Sequence, residues 1–442
     1  MVALTLPCCD IQLVRNTQVR NITAAATGFA PVLATVATLI ALTRAAHLGI
    51  GIVVLGAAVS LMATRSTQRH SPWRLLLVPV GAVVIATFAV LFHEGHAYGD
   101  AFFVVTVAAA TAARAFGPAA GRLGRALVLP LIGMLIAPVN PGGHPLRTLA
   151  WATLAVFIAE CFVLLKQRLW STPEDEAEPP STSAARIHVW RGVQSALALT
   201  MAFTIGQTVF GDHWAWTVIS AYTVGAAARS RGDALLKGVH RTLGALGGTA
   251  VATVLAYTVG GHQAVAVTLL ITILAVGYYL RQFAYAWWAA CMTAALALLY
   301  PLVGFASAGT LTLLGTRLLA VVIGALCAIL PATLIAPIRT GAVLRKRTAE
   351  CLRSIRDGEY APALRRLAAL REAAAPLYAV RRVHARRELQ WVDALTALEP
   401  HLRTLADDAD DPAALKQVRR TLGPVADDLR AAAGRSSPLP AA

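Results

Sequence analysis

The feature that most limits what this chain can become is a succession of apolar runs, each near the length that crosses a bilayer as a helix. About 20 apolar residues span the hydrocarbon core. On that rule the sequence divides into about twelve spans. The first half holds Ile22–Thr43, Leu48–Ala63, Leu75–Phe92, Tyr98–Ala113, Leu123–Val139 and Thr148–Leu165. The second holds Gly192–Phe210, His213–Ala228, Thr242–Val259, Ala264–Leu280, Phe283–Leu302 and Leu311–Ile338. Backbone polar groups in lipid must be satisfied within the segment, which predicts an all-α polytopic membrane protein. Composition agrees: 57% of the 442 residues are hydrophobic, 14% are charged and the mean hydropathy is +0.61. Soluble domains carry about 25% charged residues.

A net charge of +16 and a pI near 10.3 raise nucleic acid as a partner. The positions of the Arg and Lys argue against it, because they fall at span ends and in the last hundred or so residues. They read as topology determinants that face anionic headgroups, so the expected partner is the lipid bilayer and not nucleic acid. Arg15, Arg20, Arg65, Arg69, Arg74, Arg114, Arg122, Arg125, Lys166 and Arg168 lie on one side. Arg229, Arg231, Lys237, Arg281, Arg345, Lys346 and Arg347 lie on the same side. The opposite loops, HEGHAYGD, NPGGHP, FGD and VGGHQ, are nearly free of Lys and Arg. The basic side is read as cytoplasmic, with both termini inside a bacterial plasma membrane. No secretory signal opens the chain, since Val2–Pro7 is too short, and the first span is expected to act as an uncleaved anchor.

The two halves repeat. Arg20 matches Arg191, His47 matches His213, Arg74 matches Arg241 and His96 matches His262. Arg114-Ala-Phe116 matches Arg281-Gln-Phe283, and Arg147 matches Arg317. Charge bias alone would not place His at matching outer ends. Six spans per unit is an even number, which predicts two parallel six-helix repeats. The expected organisation is a cytoplasmic tail over 1–21, a first repeat over 22–165, a linker over 166–188 and a second repeat over 189–338. A cytoplasmic amphipathic helical domain follows over 339–433, punctuated by Pro376, Pro400, Pro412 and Pro424, then a disordered tail over 434–442. The six cysteines form no metal-ligand spacing, and no disulfide, metal or cofactor is expected.

No enzyme motif is present. There is no Walker A loop and no Gly-x-Ser-x-Gly elbow, and His93-Glu94-Gly95-His96 lacks the spacing of a zinc-protease helix. Any transport would run on a gradient. Three features suit a permeation path. The short spans Leu48–Ala63 and His213–Ala228 occupy matching places, and the second carries Trp214, Trp216, Thr217, Ser220, Tyr222 and Thr223. Rings and hydroxyls suit a planar organic solute, although an interfacial aromatic belt explains them equally. The Arg set at span ends, Arg74, Arg147, Arg191, Arg241 and Arg317, offers forked, permanently charged donors to carboxylates. The plainer reading is snorkelling topology determinants. If its helix starts near Leu311, Arg317 stands roughly 9 Å along the span; if the span starts at Leu318, it is a plain interfacial Arg. Glu160 is the one acid well inside an apolar span and a candidate for proton coupling, unless it merely reaches Lys166 or Arg168. The outer His residues read as ordinary polar loop positions. Gly244 and Gly248 form Gly-x-x-x-Gly, a sign of close helix packing.

From about Val189 to Ile338 the chain resembles the fusaric acid resistance family, which includes the aromatic acid exporters. The residues carrying the resemblance are His213-Trp214-Ala215, Gly232 and Gly238 in a basic loop, and Arg241-Thr242-Leu243-Gly244 with Gly248. Arg281-x-x-x-Tyr285 and Arg317-Leu318-Leu319 with Gly324 complete it. Two positions depart from the family pattern. Ala245 stands in place of Thr, and Ala320-Val321 stand in place of Asp-Thr. If that acid pairs with the Arg, Arg317 is freer to meet an anion; if it couples protons, the coupling is in doubt.

The resemblance implies export of small organic anions, aromatic carboxylic acids among them, by a gradient-driven mechanism. A distant likeness to plant malate channels would make the two halves a pseudo-dimer around one path. Rival readings are an organic-anion channel, a major-facilitator-type transporter and a non-transporting scaffold whose cytoplasmic helices recruit partners. TRSTQRHSPWR does not match the loop expected of the facilitator type. A homo-oligomer or a membrane or periplasmic accessory protein stays open as a further partner.

Overall fold

The structure is a computed structural model that describes residues 8–46, 51–64, 96–136, 145–169, 182–226, 230–259, 263–302, 310–335, 337–379 and 387–434, with isolated positions at 228 and between 80 and 91. The described residues are helical, without a strand. Arg74, most of the span expected at Leu75–Phe92, most of the linker, and His47, His93, His144 and His262 lie outside them. So do residues 1–7 and 435–442 of the expected tails.

Two compact units divide the chain. One contains residues 1–226 and 238–331, and the other contains 227–237 and 332–442. The helices of the first are α1 (Cys8–Ala46), α2 (Gly51–Ala63), α3 (His96–Ala112), α4 (Pro118–Ile136), α5 (Pro145–Leu169) and α6 (Thr182–Phe210). They continue with α7 (Trp214–Ala226), α8 (Arg231–Val259, whose first residues belong to the second unit), α9 (Gln263–Leu280), α10 (Tyr285–Leu302) and α11 (Thr310–Leu334). Among the described residues five helices are long and apolar enough to cross a membrane: Ile22–Ala46, Ala97–Phe116, Ala150–Leu169, Ala185–Phe210 and Gly315–Leu334. These coincide with five of the expected spans, and the chain is a multi-pass membrane protein. Shorter apolar helices cover Gly51–Leu61, Ala264–Leu280 and Tyr285–Leu299.

Three helices begin about ten or more residues earlier than hydropathy predicts, among them α6, which starts at Thr182 inside the expected linker. α1 starts at Cys8, inside the stretch expected as a tail, and α8 starts at Arg231, so Gly232 and Gly238 are helical rather than in a loop. Once an apolar segment nucleates a helix, each further residue adds a hydrogen bond, so polar flanks join it. Hydropathy registers only the apolar part.

Packing in the first unit follows small residues. A Cβ on Gly124 of α4 would stand 2.6 Å from the Ala110 carbonyl of α3, and one on Gly277 of α9 would stand 2.5 Å from the Cys291 Cβ of α10. Both members of the second pair follow those of the first at one offset, the offset that relates Arg114 to Arg281. Across the halves, α3 packs on α6 and α1 packs on α9. Gln207 of α6 donates to Asp100 of α3 at 2.7 Å. The Gly28 face of α1 meets the Tyr278 ring of α9, which leaves no room for a Cβ. The largest apolar core contains Leu55, Phe103, Leu131, Ile132, Leu199, Phe203 and Val218.

The second unit holds α12 (Thr340–Arg356), α13 (Tyr360–Ala379), α14 (Arg387–Ala397), α15 (Glu399–Asp407) and α16 (Pro412–Gly434). Their amphipathic spacing buries Leu344, Leu367, Leu370, Leu395 and Leu402 in one core. Polar ties fix the edges: Trp391 Nε1 donates to Asp428 at 2.7 Å, Tyr378 Oη donates to Asp393 at 2.6 Å, and Arg371 pairs with Glu399 at 2.5 Å. Pro400 and Pro412 stand in first turns, where their missing N–H costs nothing. Pro376 and Pro424 lie inside helices instead of ending them. The apolar stripe on each side of these prolines continues into the core, and that packing outweighs the lost hydrogen bond. The start of α8 is part of this unit. Ser230 Oγ accepts the Asp233 N–H at 3.3 Å, capping the helix, and stands 3.1 Å from Thr340 Oγ1. The Arg231 N–H donates to the Ile338 carbonyl at 3.1 Å.

Candidate functional site

The aromatic and hydroxyl residues of the second half lie on α7, which follows a short 3-10 turn at Gly211–His213. That turn lets the chain reverse after α6 and stacks the His213 ring on Trp216, with centroids 4.8 Å apart and planes 4° from parallel. Trp214 packs its ring 5.3 Å from Phe203 of α6. Trp216, Thr217 and Ser220 are buried, whereas Trp214 and Tyr222 are half-buried. The hydroxyls of Thr217 and Ser220 have no hydrogen-bond partner among the described residues, although both residues are fully enclosed. A buried hydroxyl in that state costs free energy comparable to a lost hydrogen bond.

α11 supplies the other wall. Its Gly324 has room for hydrogen only, because a Cβ would overlap the Thr217 carbonyl and stand 2.8 Å from the Ser220 Cβ. Two turns earlier on the same face stands Arg317, 4% exposed, with its Cζ 5.2 Å from the Trp216 ring centroid. The helix begins at Thr310, so Arg317 is two turns inside it and not at its end. Between them Ala320 is fully buried against Phe210 and Trp216. Ala320 therefore presents a methyl group to an aromatic ring.

A second seam joins α8 to α10. A Cβ on Gly244 would stand 2.5 Å from the Ala286 carbonyl and 2.6 Å from the Ala289 Cβ, and one on Gly248 would overlap the Ala290 carbonyl. The close helix packing read from Gly-x-x-x-Gly is borne out. Arg241 lies one turn before Gly244 on the same stripe and is 7% exposed; its Nε is buried and lacks a hydrogen-bond partner among the described residues. A charge at such depth is rare and faces protein or water.

The remaining candidates scatter. Glu160 is 6% exposed on the stripe of α5 that includes Ala152, Val156, Ala159 and Val163. Arg191 of α6 is half-buried, and Arg147 at the start of α5 is exposed. Arg147 and Arg317 match in sequence but differ in burial. Cys161, Cys291, Cys327 and Cys351 are free thiols. Sequence reasoning missed Ala320 as a contact of Trp216, since nothing in hydropathy marks a small residue as part of a site.

Helices of this length and polarity, crossed by buried guanidiniums, define a polytopic helical membrane protein. Residues 196–330 match the model of the fusaric acid resistance protein-like family. The match encloses His213, Gly232, Arg241, Gly248, Arg281, Arg317 and Gly324, so the resemblance read from those residues is borne out. No curated protein and no solved structure matches the chain.

Proposed function

We propose that the chain is a gradient-driven exporter of small organic anions, aromatic carboxylic acids among them, in a bacterial plasma membrane with both termini cytoplasmic. The observation that carries this reading is the burial of Arg241 and Arg317 inside apolar helices of the family-matching segment. Both are largely withdrawn from the surface, at 7% and 4% exposure, whereas an arginine that only sets topology needs its guanidinium in the headgroups. Trp216 and the Thr217 and Ser220 hydroxyls add a ring and two polar atoms beside Arg317, suited to a planar solute. Glu160 is the candidate for proton coupling, and Arg74, Arg147 and Arg191 are candidates for drawing anions toward the path.

The architecture that fits is twelve spans in two parallel six-helix repeats, plus a helical cytoplasmic domain. Support comes from the reciprocal contacts, α1 on α9 and α6 on α3, each pairing the first helix of one half with the fourth span of the other. The Ala110–Gly124 and Gly277–Cys291 contacts at a common offset support it further.

The test is flux. Purified full-length protein in sealed vesicles should move radiolabelled benzoate down an imposed pH or voltage gradient, and Arg317→Gln should slow it at least about tenfold, the worth of one charge-assisted hydrogen bond. Vesicles that move no aromatic carboxylate under either gradient would refute the reading.

A further inference from the structure

We infer that the inner end of α10 is an oxyanion seat, in which the Arg241 guanidinium and the first-turn N–H groups of α10 together hold one carboxylate or phosphodiester group. The inference deepens the transport reading and rests on it for the free carboxylate as occupant. It starts from the α8–α10 seam. Gly244 lies level with Ala286 and Ala289, and Gly248 with Ala290 and Thr293, so the two helices run in the same direction in close contact. Arg241 is one turn below Gly244, and helical side chains lean back toward the helix start. Its guanidinium therefore extends toward the level where α10 begins, at Tyr285.

That level is already electropositive. The first four N–H groups of a helix have no partner within it, and the aligned peptide dipoles leave about half a positive charge there. Arg281 stands just before α10, with its Cζ held 3.8 Å from the Tyr278 ring centroid. A helix start, one buried guanidinium and a neighbouring Arg would repel one another unless an anion came between. The independent observation is Arg241 itself, nine-tenths buried with its Nε lacking any hydrogen-bond partner among the described residues. A buried guanidinium N–H without an acceptor is destabilising, and a carboxylate or phosphodiester oxygen pair matches the forked donors of an arginine. The small faces of Ala286 and Ala289 let α8 lie in close contact with the first turns of α10.

The test uses full-length protein in discs of phosphatidylcholine alone and in discs that also contain phosphatidylglycerol, titrated with benzoate and with inorganic phosphate by calorimetry. The variants are Arg241→Gln, Arg241→Lys and Ala286→Pro; the last removes one first-turn N–H at a position where a helix tolerates proline. Benzoate should bind the parent, at least about tenfold more weakly in Arg241→Gln, by an intermediate factor in Arg241→Lys, and a few-fold more weakly in Ala286→Pro. A structural role would also lower the unfolding temperature of ligand-free Arg241→Gln; the seat predicts that it does not fall, and that stabilisation by benzoate disappears. Competition by phosphatidylglycerol would assign the same seat to a headgroup. Benzoate binding unchanged in Arg241→Gln in both kinds of disc overturns the seat, as does a parent that binds neither benzoate, phosphate nor phosphatidylglycerol. A parent that binds benzoate through Arg241 yet moves none overturns the transport reading and leaves the seat. One that moves benzoate with binding indifferent to Arg241 does the reverse.

Discussion

Gly247 and Gly248 are adjacent in one helix, and the structure predicts that alanine acts on them in opposite directions. At Gly247 nothing lies within 4 Å of a built Cβ. Alanine there meets open space and gains the helix-propensity difference, about 0.5–1 kcal/mol. At Gly248 the Cβ would overlap the Ala290 carbonyl and stand 2.8 Å from the Thr293 Cβ. The nearest obstacle is backbone, which cannot rotate away, so the two helices must separate. Overpacking of that kind costs roughly 1–3 kcal/mol. After subtracting the propensity gain, Gly248→Ala should destabilise by about 0.5–2 kcal/mol. Equilibrium unfolding of the full chain in mixed micelles, titrated with dodecyl sulfate and read by tryptophan fluorescence, measures both. Equal shifts of the two variants, or a stabilised Gly248→Ala, would refute the α8–α10 seam as drawn.

Other consequences are as direct. Ala320→Asp sets a carboxylate one turn from Arg317 and should cut benzoate flux at least about tenfold by occupying the guanidinium; flux at the parent level contradicts the proposed role of Arg317. Ser230→Ala removes the cap of α8 and should destabilise the second unit by about 0.5–2 kcal/mol, measured by urea unfolding of the detergent-solubilised chain with Trp391 as probe. Burial pushes the Cys351 thiol up to about 11, against the opposing pull of Arg366. The folded state therefore favours the protonated thiol. Its contribution is complete below the ordinary thiol range and is lost as pH rises through about 11. Cys351 should resist maleimide near pH 8 in the folded protein and react when it is unfolded, which mass spectrometry can follow.

Hydropathy made the membrane helices legible because lipid tolerates few charges, and five spans appear where the apolar runs put them. The packing role of Gly244 and Gly248 was legible for a similar reason, since a four-residue spacing returns to one helix face. Which arginines are buried was not. Arg147 and Arg317 both lie near the start of an apolar helix, yet one is exposed and the other is buried beside Trp216. What decides this is the partner helix, and sequence spacing along one helix carries no information about its neighbour. The start of α8 escaped for the same reason, because the groups that hold it, Thr340 and Ile338, lie about a hundred residues downstream.

That clasp has a practical corollary for anyone who cuts the chain. A fragment starting at Thr340 would lack residues 227–237, and with them the capping hydroxyl of Ser230 and the backbone donor of Arg231. A truncation that ends before Thr340 would strand the same groups on the retained side. The C-terminal helices are thus not a detachable cassette, and a graft onto another membrane protein would have to import the α7–α8 connection along with them.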